Sequence, residues 1–478
     1  MSRASFKTFV AAAGVGGISY WIDEIVPDNN DVYATRLAFN DTRNTIMLVG
    51  VNQNDGKKQY IQLDHDGSIE RESKTGTMSG AYSYQSVAVQ RGMNEQYITI
   101  DEAGVYQMDP RILNDSSSGT IQTQDMSISN DATGGLAYYA TGYMNPRHTL
   151  YSDDDYVLVA HGGYITTYFT GYGTYFRSNI IVRRFTYTSS GTVTSNGYVD
   201  WDFGYEPYSD SRYIAVSPQS SSGYHLVCGW VYTGFGASNM ETWNLYRGTT
   251  NTGTATSKAT QQGSGMVGMV GIEFDSNEHF IDVRDYTNDT RVFKNTLGPV
   301  PTYYWPNTRY DISLGTPLVS SSARPIDTAI DSNDNLYILY STGHIAKWSS
   351  AMVLQWTIKV ENTAAAPYSA TAIYNGSLDI RVIDETDVIF VTLTQAQRSG
   401  QTTKNIAVYK LPIDLNNYTG TYGDYSITSV SSAFNVSTLS PSISLTGGGF
   451  NANTQSMSSF TSASVQTPTT LSVTNTPV

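Results

Sequence analysis

Along most of this chain apolar and polar positions alternate in short runs, and the runs end in clusters of Asp, Asn, Gly and Ser. A period of two marks a strand with one buried face, and the clusters are turn chemistry. The clearest unit is DTAIDSNDNLYILY at 327–340, followed by STGHIAKW at 341–348 and LQWTIKV at 354–360. It reads as strand, polar turn, strand, glycine turn, strand, loop, strand. The same grammar opens near the start, with strands at 33–39, 45–50 and 59–64 around a turn at 40–44. Further copies are expected at 84–108, 156–187, 213–231, 270–283 and 378–410.

About seven units at roughly 60 residues apiece exceed the ~40 to 50 of a propeller blade and far exceed a β-helix coil. The expected fold is therefore all-β, a single β-propeller of four-stranded blades with long inserted loops. A series of two-sheet sandwiches is the competitor, because alternation alone does not separate radial from stacked sheets. Composition points the same way: 36 Tyr and 41 Gly with only 15% charged residues favour strands and turns. The 478 residues also outgrow one ordinary core, which an array explains.

The turn Asp331-Ser-Asn-Asp-Asn335, running into Leu336-Tyr-Ile338, with Gly343 to Lys347 and then Trp356, resembles a bacterial propeller repeat. In that repeat D-x-x-G-N-x-Y leads to a strand ending in Lys and then to a Trp; Asp334 stands where the pattern has Gly. A second such Trp, Trp21, precedes the first full unit. Residues 20–25 are therefore expected to pair as the outer strand of the last blade, leaving neither end an open edge. The propeller is expected over 20–428, with a docking arm at 1–19 and a Ser/Thr-rich tail at 429–478 engaged with neighbouring subunits.

With 28 Lys and Arg against 42 Asp and Glu, the net charge of -14 argues against nucleic acid. No run reaches the ~18 apolar residues of a membrane helix, so membrane insertion is not expected. Arg3 and Lys7 precede a small-residue run that looks superficially like a signal peptide, but its apolar part is short and Gly-rich. The single Cys228 lies in an apolar run and reads as a buried thiol. The turns at Asp331-x-Asn333-x-Asn335, Asp275-Ser-Asn277 and Asp64-His-Asp66 have alternating oxygens, yet lack the glycine and distant Glu of a calcium loop. Hairpin chemistry is the expectation, and no metal or cofactor.

No His-Glu-x-x-His, Gly-x-Ser-x-Gly or phosphate-loop pattern occurs, so no enzyme is expected. Asp153-Asp-Asp155 reads as an exposed acidic turn, and Asp202 beside Trp201 carries no signal of its own. The unusual stretch is 164–176, whose Tyr164, Tyr168, Phe169, Tyr172, Tyr175 and Phe176 are spaced by Gly and Thr. Such rings suit a protein interface or a stacked sugar, or pack on their own hairpin.

The Gly-rich start, Ser/Thr-rich end and Tyr/Asn/Gly-rich strands together resemble structural proteins of tailed bacteriophages, notably of marine cyanobacterial hosts. That resemblance implies a virion component in a tail, fibre or surface position, assembled in the host cytoplasm. Its partners would be other virion proteins and copies of itself. The alternative it leaves open is a fibre or adhesin module that binds host-surface glycan.

Overall fold

The computed structural model describes residues 5–11, 18, 20–25, 32–52, 57–67, 69–77, 87–102, 108–115, 121–125, 138–140, 150–169, 173–188, 193–205, 210–232, 240–249, 252–262, 265–314, 323–363, 376–397, 404–431, 434–441, 443–446 and 469–470. Their strands form seven antiparallel sheets, one around each repeat unit. Sheet one holds Val32–Asn40, Thr45–Asn52, Lys57–Asp64 and Ile69–Thr77, and sheet two holds Val87–Arg91, Tyr97–Glu102, Met108–Asp115 and Ile121–Asp125. Sheet three is built on Leu150–Ser152, Val157–Phe169, Gly173–Tyr187 and Val193–Tyr205, and sheet four on Asp210–Val216, His225–Tyr232, Met240–Thr249 and Thr252–Gln262. Sheets five and six start at Met266–Phe274 and Pro325–Ile330, and sheet seven at Gly376–Ile383.

The innermost strands pack each against the next in chain order, and Gly376–Ile383 packs back on Val32–Asn40. This radial arrangement is a β-propeller. Stacked sandwiches would bury one core per pair; here apolar clusters fill successive junctions. One joins sheets one and two through Val49, Tyr60, Val89 and Tyr97, and another joins sheets four and five through Trp243, Phe280 and Phe293.

The motif at 331–356 shows how one sheet closes. The Asp331 carboxylate accepts from the backbone N–H of Asn333 at 3.0 Å and of Asn335 at 2.9 Å, from the Asn335 amide at 2.9 Å, and from Tyr337 Oη at 2.9 Å. Lys347 reaches it at 3.4 Å, and Trp356 lies edge-on to Tyr337 at 5.7 Å. Asp334 has φ of 61°, the left-handed region where glycine is cheapest, at the position where the sequence pattern it resembles has Gly.

Tyr20–Ile25 pairs with Lys404–Pro412 in the last sheet, Trp21 facing Lys410 and Ile25 facing Ile406. The strand is wholly buried, and Trp21 Nε1 donates to the His65 carbonyl at 3.3 Å. Ser5–Ala11, in the segment expected to be a docking arm, adds beyond it as a fifth strand.

The tail also pairs within its own chain. Tyr425–Ser429 extends sheet six beside Leu354–Asn362, Phe434–Leu439 extends sheet five beside Thr308–Leu314, and Ser444–Thr446 extends sheet four beside Thr252–Gln262. Phe434 is buried against Trp348 and Tyr340, with ring centroids 5.9 and 4.8 Å away. The described tail residues at 425–446 thus pair within their own chain.

Candidate functional site at the axial mouth

Where the seven innermost strands meet, they surround a cavity of about 500 Å³ that includes the turns leaving those strands. Six carboxylates (Asp41, Asp153, Asp154, Glu273, Asp327, Asp379) and three guanidinium groups (Arg36, Arg91, Arg381) line it, so its charge is acidic on balance. A focused negative field in a low-dielectric funnel favours cationic groups.

Most of these groups also tie one sheet to the next. Arg36 is buried and donates to the Gly376 carbonyl at 2.6 Å, joining sheets one and seven; burial lowers its pKa to about 10, so it stays charged at neutral pH. Gly376 is required there, since a Cβ would sit 2.1 Å from the Thr392 carbonyl oxygen. Asp327 accepts the Leu378 N–H at 2.5 Å between sheets six and seven, and Thr328 donates to Glu273 at 3.3 Å between six and five. Arg381 holds Asp379 at 2.9 Å and approaches Asp41 at 3.9 Å, and Arg91 binds Asp154 at 2.9 Å. Gln90 continues the ladder sideways: its amide donates to Leu150 O at 2.6 Å and accepts from Ser152 N at 2.8 Å.

The junction of sheets three and four carries a polar relay inward from the mouth. Tyr151 Oη donates to Asp153 at 3.0 Å, and Asp153 also accepts from the N–H groups of Asp155 and Tyr156. Tyr156 Oη lies 2.6 Å from His225 Nε2, while His225 Nδ1 lies 3.0 Å from the Ser217 carbonyl. A carbonyl only accepts, so Nδ1 carries the proton, and Nε2 accepts from Tyr156. Burial pushes the His225 pKa down to about 4 and pushes the Tyr151 and Tyr156 hydroxyls up.

A second ring of contacts joins the turns between first and second strands. Ser221 N donates to Glu278 at 2.5 Å, Ser276 donates through N and Oγ to Asp334 at 2.7 Å each, and Ser332 Oγ donates to Asp387 at 2.5 Å. Ser276 and Ser332 each follow the turn Asp, while two of the acceptors, Glu278 and Asp334, are the left-handed fourth residue of their turn. Glu278 and Asp334 both have positive φ, 59° and 61°.

Of the residues singled out in the sequence, Asp331 and Asp275 close hairpins, Asp275 accepting from Asn277 N at 3.0 Å and His279 N at 2.9 Å. Asp64 accepts Asp66 N at 3.0 Å in the same way. Among the described residues no group of three or more His, Cys, Asp or Glu side chains is placed for a metal ion. Cys228 is buried, and burial raises its thiol pKa well above the usual value.

Asp153 and Asp154, expected in an acidic turn, belong to the mouth. The aromatic stretch forms the hairpin of sheet three, with Thr166 facing Phe176, Thr167 facing Tyr175, Tyr168 facing Thr174 and Phe169 facing Gly173. Tyr164 lies between Tyr139 and Ser178, and Tyr172 lies outside the described residues. Trp201 and Asp202 are paired in the outer strand of that sheet. Missed in the sequence were Arg36, Gln90, Arg91, Glu273, Asp327 and Arg381. Their available signal was a polar residue recurring inside the first strand of each unit.

No protein-family model matches the chain, and no curated protein does. Among solved structures it is similar to one described as "Structure of Dos1 propeller", at 10% identity and TM-score 0.43 over 81% of this chain and 94% of that one. It is also similar to "YCF48 bound to D1 peptide", at 12% identity and TM-score 0.39 over 83% and 96%. A third is a DUF4623 family protein from Bacteroides eggerthii, at 8% identity and TM-score 0.29 over 86% and 98%.

Proposed function

We propose that the protein is a rigid, non-catalytic β-propeller platform, used as a structural component of a bacteriophage virion in a tail, fibre or surface position. Its partners on this reading are other virion proteins and copies of itself. The observation that supports it is where the polar groups of the axial mouth are used: Arg36, Asp327, Arg91 and Gln90 join sheet to sheet. Carboxylates engaged this way stiffen a scaffold, whereas a catalytic pair needs reach to a substrate atom. Light scattering of the purified chain tests it: a defined oligomer is expected, and a chain that remains monomeric up to its solubility limit overturns it.

A second reading, a module that binds host-surface polysaccharide, is favoured by the cavity of about 500 Å³, which has the size and polar lining of a small-ligand site. Calorimetry with polysaccharide fragments separates the two. Binding by a monomer, lost in Arg381→Ala, supports the module; absence of heat with the fragments of every candidate host removes it.

A further inference from the structure

We propose that the connection 295–307 on sheet five is a prebuilt platform for an uncharged polysaccharide, one sugar ring stacking on the partly exposed Trp305 and Tyr303. This rests on the polysaccharide-binding reading above and sets the contact outside the axial cavity.

The connection joins Asp289–Lys294 to Thr308–Leu314 with thirteen residues, where the same connection in sheet six, 349–353, takes five. A hairpin loop needs roughly two to five residues, so the chain turns here with length to spare. Successive strands of sheet five are antiparallel, so the loop opens on the same face as the turn between its first two strands. Lys294 Nζ, at the base of the loop, lies 3.9 Å from Asp275 in that turn.

The rings are fixed before any ligand arrives. Val300 and Tyr304 are buried in the core between sheets four and five, and Trp305 packs on the same core. Trp305 is edge-on to Tyr304 at 5.1 Å and tilted against Tyr303 at 5.4 Å. Tyr303 presses on Gly298 so closely that a Cβ there would come within 2.7 Å of its ring. Asn295, wholly buried, donates to the carbonyls of Gly298 at 2.7 Å and Tyr303 at 2.8 Å, and accepts from Leu297 N at 2.9 Å. The Asn307 side chain closes the loop on Thr296, accepting from its N–H at 2.8 Å and donating to its Oγ1 at 2.9 Å. Rings held this way lose little freedom on binding.

Composition chooses the ligand. None of the thirteen residues is charged, while the chain carries -14, so an acidic polymer is repelled and a cationic one finds no counter-charge in the loop. Leu297, 52% exposed, is the one large aliphatic side chain the loop offers to solvent. A protein partner needs roughly 800 Å² of surface on each side, more than one such loop supplies. A sugar needs an aromatic face with hydroxyl groups near it, and the exposed Thr296 and Thr302 carry those.

Calorimetry of the full chain with maltohexaose, cellohexaose, mannohexaose and chitohexaose, against an alginate hexamer, tests this. At least one neutral hexamer is expected to bind, about ten-fold more weakly in Trp305→Ala and within about three-fold of the parent in Trp305→Tyr. Tyr303→Ala takes the place of Trp305→Ala if the latter lowers the melting temperature. A neutral hexamer that binds the parent and Trp305→Ala equally but is lost in Arg381→Ala overturns the platform and leaves the polysaccharide-binding reading standing. Silence with all four neutral hexamers, or binding of the alginate alone, also overturns it. So does a Trp305→Ala chain that splits an oligomer while hexamer binding persists, since the loop would then be a protein contact.

Discussion

At the scale of single residues, the propeller is held by polar side chains placed where a simple core would have none. His225 is the sharpest case, neutral and buried, with both ring nitrogens engaged. Its pKa falls from the ordinary 6.5 to about 4 because burial disfavours the imidazolium. A depressed base contributes stability that is complete above pH about 6.5 and is lost as pH falls toward about 4, because the unfolded chain takes up its proton first. The full span is worth roughly 3 kcal/mol. In His225→Gln, stability between those pH values should fall less steeply than in the parent, by up to about 1.4 kcal/mol per pH unit. Urea titrations at closely spaced pH values measure this, and parallel slopes would mean that His225 titrates normally. His344, lowered to about 4 by burial and then by Lys359, contributes in the same sense in both proteins and cancels.

At the scale of strands and tails, the outer edges depend on the chain ends. Phe434 enters the junction of sheets five and six, so Phe434→Ala should cost about 3 kcal/mol, read as a shift in the denaturation midpoint. Val436, on the same strand but 42% exposed, is the control, and its alanine variant should stay within about 0.5 kcal/mol. Equal effects of the two would mean the tail strand is merely draped on the sheet. The strands themselves were legible in the sequence because alternation and Asp/Asn turns are local signals. Trp21 gave away Tyr20–Ile25 because an outer-strand Trp had nothing before it to belong to. The tail strands were not legible. Phe434–Leu439 is exposed beyond its first residue, so edge and reach choose its pairing rather than an apolar face of its own.

At the scale of the whole molecule, the sheets are joined at two levels, the axial mouth and the ring of turns. The Ser276–Asp334 clasp is solvent-exposed, so its charge-assisted bonds are worth less than buried ones. A double-mutant cycle of Ser276→Ala with Asp334→Ala should give a coupling of about 1 kcal/mol. The Ser332–Asp387 clasp one junction on is part-buried and should show a coupling of the same sign in its own cycle. Zero coupling in both cycles would reduce the turn ring to incidental contact. The mouth was illegible beforehand for a related reason: Arg36, Gln90 and Asp327 are scattered through three units, and only the radial packing of first strands gathers them.

The pairing of Tyr20–Ile25 with Lys404–Pro412 sets an order on biosynthesis. A ribosome delivers the buried Trp21 strand long before Gly376–Ile383, Thr386–Gln397 and Lys404–Pro412, so through the whole interval between them the seventh sheet exists only as its N-terminal strands. Through that interval an apolar strand that ends fully enclosed must wait without its ladder. Any nascent chain halted before residue 404 is, in this sense, an unlatched ring.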